Sequence, residues 1–451
     1  MFVRGVEYLW HSTLYNWTSM RRNALGELSG SLGDLGTLLP IMVALTAAKS
    51  ISLSSTLIFS GIFNIISGTV FGIPIAVQPM KAVASIVLAR HLTLEENMAA
   101  GIGVAVIVLL LSITGLLSKV SVLIPIPIIK GVQLGAGFSL VLNAGATMSK
   151  LSLNSDEWYD SQWWTVGAFI VLFGTCRWPQ KVPYAILIFS LGLLMSAIRL
   201  ARDEDDMPKF RINWPFDCVI PTLADFATGF STAGLGQVPL TVLNSVIAVA
   251  YLSNDLLPER PAPSVTALGM SVAIMNLVGC WFGAMPVCHG SGGLAGQYRF
   301  GARSGASVQI LGIAKIAIGV CFGDSLTGLF ENFPASLLGV MVFAAGMELI
   351  SVGEDLNTTA ADLYRGPDGR RPGHIICPPR ALEMQTRRDR YLIMMVTAGI
   401  TIGFKNSFIG FIAGCVCWAL LEAQNRMDEW GDDWDEAGSE ISTETTPLLG
   451  S

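Results

Sequence analysis

Apolar runs of about 20 residues, the length a helix needs to cross a bilayer, return along the chain from residue 23 to residue 422 with short polar links between them. In order they cover residues 23–48, 52–70, 71–89, 97–118, 121–146, 163–176 and 182–200. After a mixed-charge linker come residues 225–253, 264–282, 288–300, 305–322, 326–350, 391–404 and 407–421. The pattern predicts an all-α polytopic membrane protein with 14 membrane segments. The third and tenth segments differ from the rest. Each opens at a Pro and Gly break, and the apolar part after Pro79 has only about ten residues, too few to cross alone. Both are expected to be short half-helices.

Around these segments the chain divides into an N-terminal arm (1–22), a first seven-segment unit (23–200) and a linker (201–217). A second seven-segment unit (218–422) carries a polar loop at 351–389, and the acidic tail (423–451) is expected to be disordered. The halves echo one another. Leu35-Gly36, followed by Pro40, matches Leu235-Gly236, followed by Pro239. Phe71-Gly72-Ile73-Pro74 matches Phe282-Gly283-Ala284-Met285-Pro286. Seven segments per half, an odd number, make the second repeat inverted relative to the first. Short, Pro- and Gly-interrupted segments at matching places of two such halves point to a transporter's binding site. With the N-terminus in the cytoplasm, 17 of the 28 Lys and Arg fall on cytoplasmic segments, eight opposite, and three at or inside segments. The positive-inside rule therefore expects both termini to be cytoplasmic.

Composition agrees. Only 14% of residues are charged and 52% are hydrophobic, against about 25% charged in soluble domains. The net charge of −6 comes mostly from the tail. The first 22 residues lack a continuous apolar core, so no cleavable signal peptide is expected. Eight scattered cysteines have neither disulfide-framework nor zinc spacing, and no metal or other cofactor is implied. No phosphate-binding P-loop, paired-His metal motif or nucleophile–base set is present, so neither direct ATP drive nor an enzyme is expected. No feature suggests nucleic acid as a partner.

The chemistry concentrates at the two breaks. No Asp, Glu, Lys or Arg occurs from Pro261 to Tyr298. Irregular backbone in a membrane is tolerated where it lines a cavity or is buried in protein, and a helix N-terminus there suits an anion. Gln78, Pro79 and Lys81 open the first short helix; the competing role for Lys81 is a side chain reaching to the interface. His289, Gly290, Ser291 and Gly292 open the second, where glycines let an anion approach backbone N–H groups. A lone His is as readily a structural hydrogen-bonder. Gln237, Thr241 and Asn244 lie at i, i+4 and i+7 of one helix face. As neutral donors they suit an oxyanion, or else bond between helices. Asp34 and Asp225, with Glu27, are acids in or at the edge of membrane segments, where such groups are costly and commonly functional. Asp34 and Asp225 are candidates for coupling or gating, with protons as the candidate coupling ion. The tail carries an acidic dileucine pattern, Glu444 with Leu448 and Leu449, which favours a vacuolar or endolysosomal membrane over the plasma membrane.

At these residues the sequence resembles the molybdate transporter family, distant relatives of the sulfate permease (SulP) superfamily. The motifs are GELSGSLGDLGTLLP (26–40), GIPIAVQPMKAVA (72–84) and FGAMPVCHGSGGLAGQYRFGARSG (282–305). The resemblance implies seven plus seven inverted segments, split into a core and a gate domain. It places the substrate between the N-termini of the third and tenth segments, which begin here at Gln78 and His289. Asp34 and Gln237, on the first and eighth segments, form the remaining walls. The function it implies is secondary transport of molybdate by alternating access, with a homodimer as the candidate assembly. Sulfate, another small anion, a nucleobase or an anion channel of the same fold are the alternatives.

Overall fold

A computed structural model describes residues 2–152, 159–175, 183–202, 208–214, 217–358, 360, 363 and 382–444. Leu448, Leu449, most of the polar loop and part of the linker lie outside the described residues. The chain is mostly helical, and a helix lies within each of the expected segments. Among the described residues, seven helices are long and apolar enough to cross a bilayer, or up to nine spans if each of two bent pairs counts as one. The difference from 14 has physical causes. Lys81–Arg90 and Ser291–Arg299 have only 10 and 9 residues. Ala335–Ser351 has 17, Gln162–Thr175 borders residues outside the described ones, and Met384–Phe404 carries a charged run at 387–390 near its start.

Several boundaries differ from those the sequence suggests. The first segment breaks at Leu32–Asp34, between Ala24–Ser31 and Leu35–Ala47, and the second of these helices contains Pro40. The break falls where Gly33 packs against the backbone of Gly296, and the segment bends again, by 42°, at Pro40 between Leu39 and Ile41, as the proline predicts. The helix Leu94–Ile113 ends earlier than expected. A short helix, Leu116–Leu123, joins it to Ile126–Met148, with the turns at Gly115 and Pro125. At the C-terminus, one helix runs from Ser407 to Glu444 and so enters the stretch expected to be disordered. A helix already nucleated in an apolar segment extends at little cost, and no proline interrupts it before Pro447.

The eighth segment is a 34-residue element, Leu223–Leu256. It contains two π-helical stretches, Phe230–Gly234 and Thr241–Ile247, on either side of Pro239. Proline cannot donate to the helix ladder, and π-turns are a usual accommodation.

The two breaks meet at the centre of the molecule. Val77–Pro79 (β1) and Val287–His289 (β2) pair antiparallel, in the register Val77↔His289, Gln78↔Cys288 and Pro79↔Val287. All six residues are buried. The helix before each strand ends on a glycine at positive φ, Gly72 at 65° and Gly283 at 70°, a conformation glycine adopts without a Cβ penalty. An asparagine on each of those helices then holds the strand. Asn64 Oδ1 accepts from Val77 N–H at 2.8 Å. Asn276 Oδ1 accepts from Val287 N–H at 2.7 Å, and its Nδ2 donates to Val287 O at 2.6 Å. The two crossing arms are thus built alike.

The N-terminal arm is a helix, Phe2–Arg22, anchored by a buried polar residue. Asn16 donates to Gly68 O at 2.8 Å and accepts from Gly305 N–H at 3.0 Å. Arg260 stacks on Tyr15 at 3.9 Å.

Candidate functional site

The two short helices begin directly after the crossing strands, so their N-termini lie close together and point to a common place. Lys81 is the first residue of one helix and Ser291 the first of the other. Their proximity is direct: a Cβ added to Gly292 would stand 4.0 Å from Lys81 Nζ and 3.1 Å from Leu140 Cδ1. Lys81 and Leu140 in turn line a cavity of about 390 Å³. Thr37, Asn143 and Thr147 are its main uncharged polar groups, while Leu39, Leu338 and Val342 are among its apolar walls.

Behind this floor lies a buried polar network. Asp34 is 2% exposed. It accepts from Thr37 Oγ1 at 2.8 Å and from Gln78 Nε2. Gln78 passes so close to Gly290 that any side chain there would overlap it. On the other side, Gln237 Oε1 accepts from Ala82 N–H at 3.1 Å and Val83 N–H at 3.4 Å, and Gln237 Nε2 donates to Thr241 Oγ1 at 3.0 Å. Ser291 Oγ donates to Asn244 Oδ1 at 2.7 Å.

The structure therefore brings together Asp34, Gln78, Lys81, Gln237, Asn244, Gly290, Ser291 and Gly292. Two expected residues stand apart. His289 is fully buried, with Nε2 3.0 Å from Ser271 Oγ and its ring edge-on to Phe71. Asp225 sits in a capping box with Thr222, accepting from Thr222 N–H at 2.7 Å. It is 12 residues from Gln237, about 18 Å along a helix. Gln237 and Asn244 face the short helices with their carbonyl oxygens, bonding between helices, the second of the two roles open to that polar face. Thr37, Asn64 and Asn276 were missed. A single asparagine inside an apolar helix, just before a Pro or Gly break, was the available signal.

The cavity and the charged contacts occupy opposite ends of the same helices. Val43, Thr147, Phe330 and Glu331 line the cavity. Thr147 is 17 residues from Lys130 on the helix Ile126–Met148, about 26 Å. Lys130 is buried and pairs with Asp255 at 3.0 Å. Near the same end, Arg299 lies 3.8 Å from Glu348. The N-terminal helix lies on this side too, through the contacts of Asn16 and Arg260.

Residues 26–140 and 229–349 match the model of a family described as "Molybdate transporter of MFS superfamily". The chain belongs to the molybdate transporter family. Molybdate transporter 1 of Arabidopsis thaliana is 36% identical over 443 residues, covering 90% of this chain and 90% of that protein. Molybdate transporter 2 of the same plant is 36% identical, covering 88% and 87%. Molybdate transporter 1 of Chlamydomonas reinhardtii is 32% identical, covering 88% and 91%. The transporter is thus a multi-pass membrane protein and not an enzyme. Its fold is similar to that of two solved structures. One is the transmembrane domain of a cyanobacterial bicarbonate transporter, BicA, with TM-score 0.50 and 16% identity over 87% of this chain and 98% of that one. The other is the murine Solute Carrier 26 family member A9 anion transporter in the inward-facing state, with TM-score 0.55 and 12% identity over 89% and 68%.

Proposed function

We propose that this transporter carries molybdate by alternating access, with the dianion held between the N-termini of Lys81–Arg90 and Ser291–Arg299. The observation that carries this is the position of Lys81: a full positive charge at the cavity floor, against the first turn of the opposite short helix. Two helix N-termini and an ammonium supply donors and positive potential but no acceptor, which suits a tetrahedral oxyanion. The names of the relatives favour molybdate over sulfate, whose shape and charge are the same.

The proposed architecture is seven plus seven inverted segments. The crossing strands and the helices around them form a core domain, and Ile126–Met148 and Ala335–Ser351 belong to a gate domain. The matched pairs Gly72/Gly283 and Asn64/Asn276 support the repeat. Core and gate are open to the cavity at one end and joined by two ion pairs at the other, as one state of an alternating-access cycle requires. Asp34, between Thr37 and Gln78, is the proposed coupling or gating group, with a proton as coupling ion. Cytoplasmic termini, a homodimer and a vacuolar membrane addressed by Glu444, Leu448 and Leu449 complete the proposal.

The test is molybdate uptake in yeast at nanomolar supply with excess sulfate, beside Lys81→Ala and Ser291→Ala. Uptake that resists sulfate and fails in both variants supports the site. Sulfate movement without molybdate movement overturns the substrate. Uptake seen only in isolated vacuoles, or after Leu448→Ala with Leu449→Ala, keeps the substrate and fixes the membrane.

A further inference from the structure

The donors that an oxyanion would use are occupied in this structure. Two backbone N–H groups, of Ala82 and Val83, converge on Gln237 Oε1. These are the second and third amides of the first short helix, which have no partner within it. Two donors facing one amide atom identify that atom as oxygen. The Ser291 hydroxyl of the second short helix is bonded to Asn244 Oδ1. Gln237 is 3% exposed and Ser291 fully buried. Both carbonyls come from one element, Leu223–Leu256, seven residues apart.

We infer that Gln237 and Asn244 are stand-ins for the substrate: their carbonyls hold the site's donors while it is empty and are displaced when the dianion binds. The inference rests on the oxyanion site proposed above. Leaving buried donors unbonded is costly, so an empty site built from helix N-termini needs a temporary acceptor. A neutral carbonyl is a weak one. An oxyanion makes charge-assisted bonds roughly twice as strong, so it can win the exchange, whereas a neutral solute gains little over the carbonyls it replaces. Displacement thus selects for charge. The helix has slack for the movement, because π-helical stretches flank Pro239 on both sides.

The test uses the full-length protein in lipid nanodiscs, titrated with molybdate and with sulfate. Gln237→Glu keeps an acceptor on Ala82 and Val83 but makes it anionic. Gln237→Met keeps the size and removes the acceptor. Displacement predicts that Gln237→Glu weakens molybdate binding by about 30-fold, the worth of a charge-assisted bond. Gln237→Met binds at least as tightly as the parent. Hydrogen exchange gives a second readout: the amides of Ala82 and Val83 exchange faster in empty Gln237→Met, and saturating molybdate slows them again. Equal weakening in both variants overturns the inference and makes Gln237 an ordinary donor to the anion. Full affinity in Gln237→Glu overturns it too, by showing that the anion does not compete for these amides. A parent that binds neither anion overturns the oxyanion site itself and the inference with it. Melting and size-exclusion profiles check each variant. If Gln237→Met fails to fold, Gln237→Asn, too short to reach Ala82, takes its place with the same expected outcome.

Discussion

Asn64 and Asn276 hold the two strands that bring the short helices together, and each is fully enclosed in an apolar helix. Asn276 satisfies both the N–H and the C=O of Val287. Replacing it with alanine leaves two buried backbone groups without a partner, at about 1–3 kcal/mol each. Asn276→Ala is therefore expected to lower stability by about 2–6 kcal/mol, visible as a fall in melting temperature of the detergent-solubilised protein. Asn64→Ala removes one such bond and should cost roughly half as much. A side chain's polarity could be seen in the sequence, but its direction could not. Gln237 and Asn244 were recognisable as a polar face, yet whether their carbonyl or amide end meets the short helices depends on which groups the fold places opposite. Asp225 was readable as an acid in or at the edge of a membrane segment, and it lies at a helix start, where its carboxylate accepts from the Thr222 N–H.

At the scale of elements, the glycines at the start of Ser291–Arg299 are not equivalent. Gly290 lies against Gln78, whose side chain is bonded to Asp34, so Gly290→Ala forces out a side chain that cannot give way. Gly292 faces only Leu140 and Lys81 at 3.1 and 4.0 Å from an added Cβ, and both are flexible ends. Gly290→Ala should raise KM for molybdate more than about tenfold, and Gly292→Ala no more than about threefold, in uptake assays matched for surface expression. The two breaks were legible because proline and glycine mark them directly. The break at Leu32–Asp34 was not, because it comes from the approach of Gly33 to Gly296 across the fold. Pro40 bends its segment by 42°, whereas Pro239 is accommodated inside its element by the π-helical stretches on either side.

At the scale of the molecule, the cavity and the pairs Lys130–Asp255 and Arg299–Glu348 describe one state, open at one end and fastened at the other. Removing both members of the buried pair avoids leaving a single uncompensated charge. Lys130→Met with Asp255→Leu should then shift the population towards the state open on the side of the N-terminal helix. The check is an Asn143→Cys reporter in the cavity. Its reaction with a membrane-impermeant maleimide should slow several-fold in the double variant; an unchanged rate means that the ion pair does not hold the closed end. The helical class was visible in hydropathy. The state of the transporter was not, since it depends on which charges of distant segments meet.

Backbone bonds between β1 and β2 make the two short helices a single mechanical part. An ion lodged between them would meet the same donors wherever that part stands in its travel. Its affinity would then be equal towards either compartment. Delivery would not depend on a loosened grip, and any accumulation of the ion would have to be driven by the membrane potential acting on its charge or by a second solute running down its own gradient.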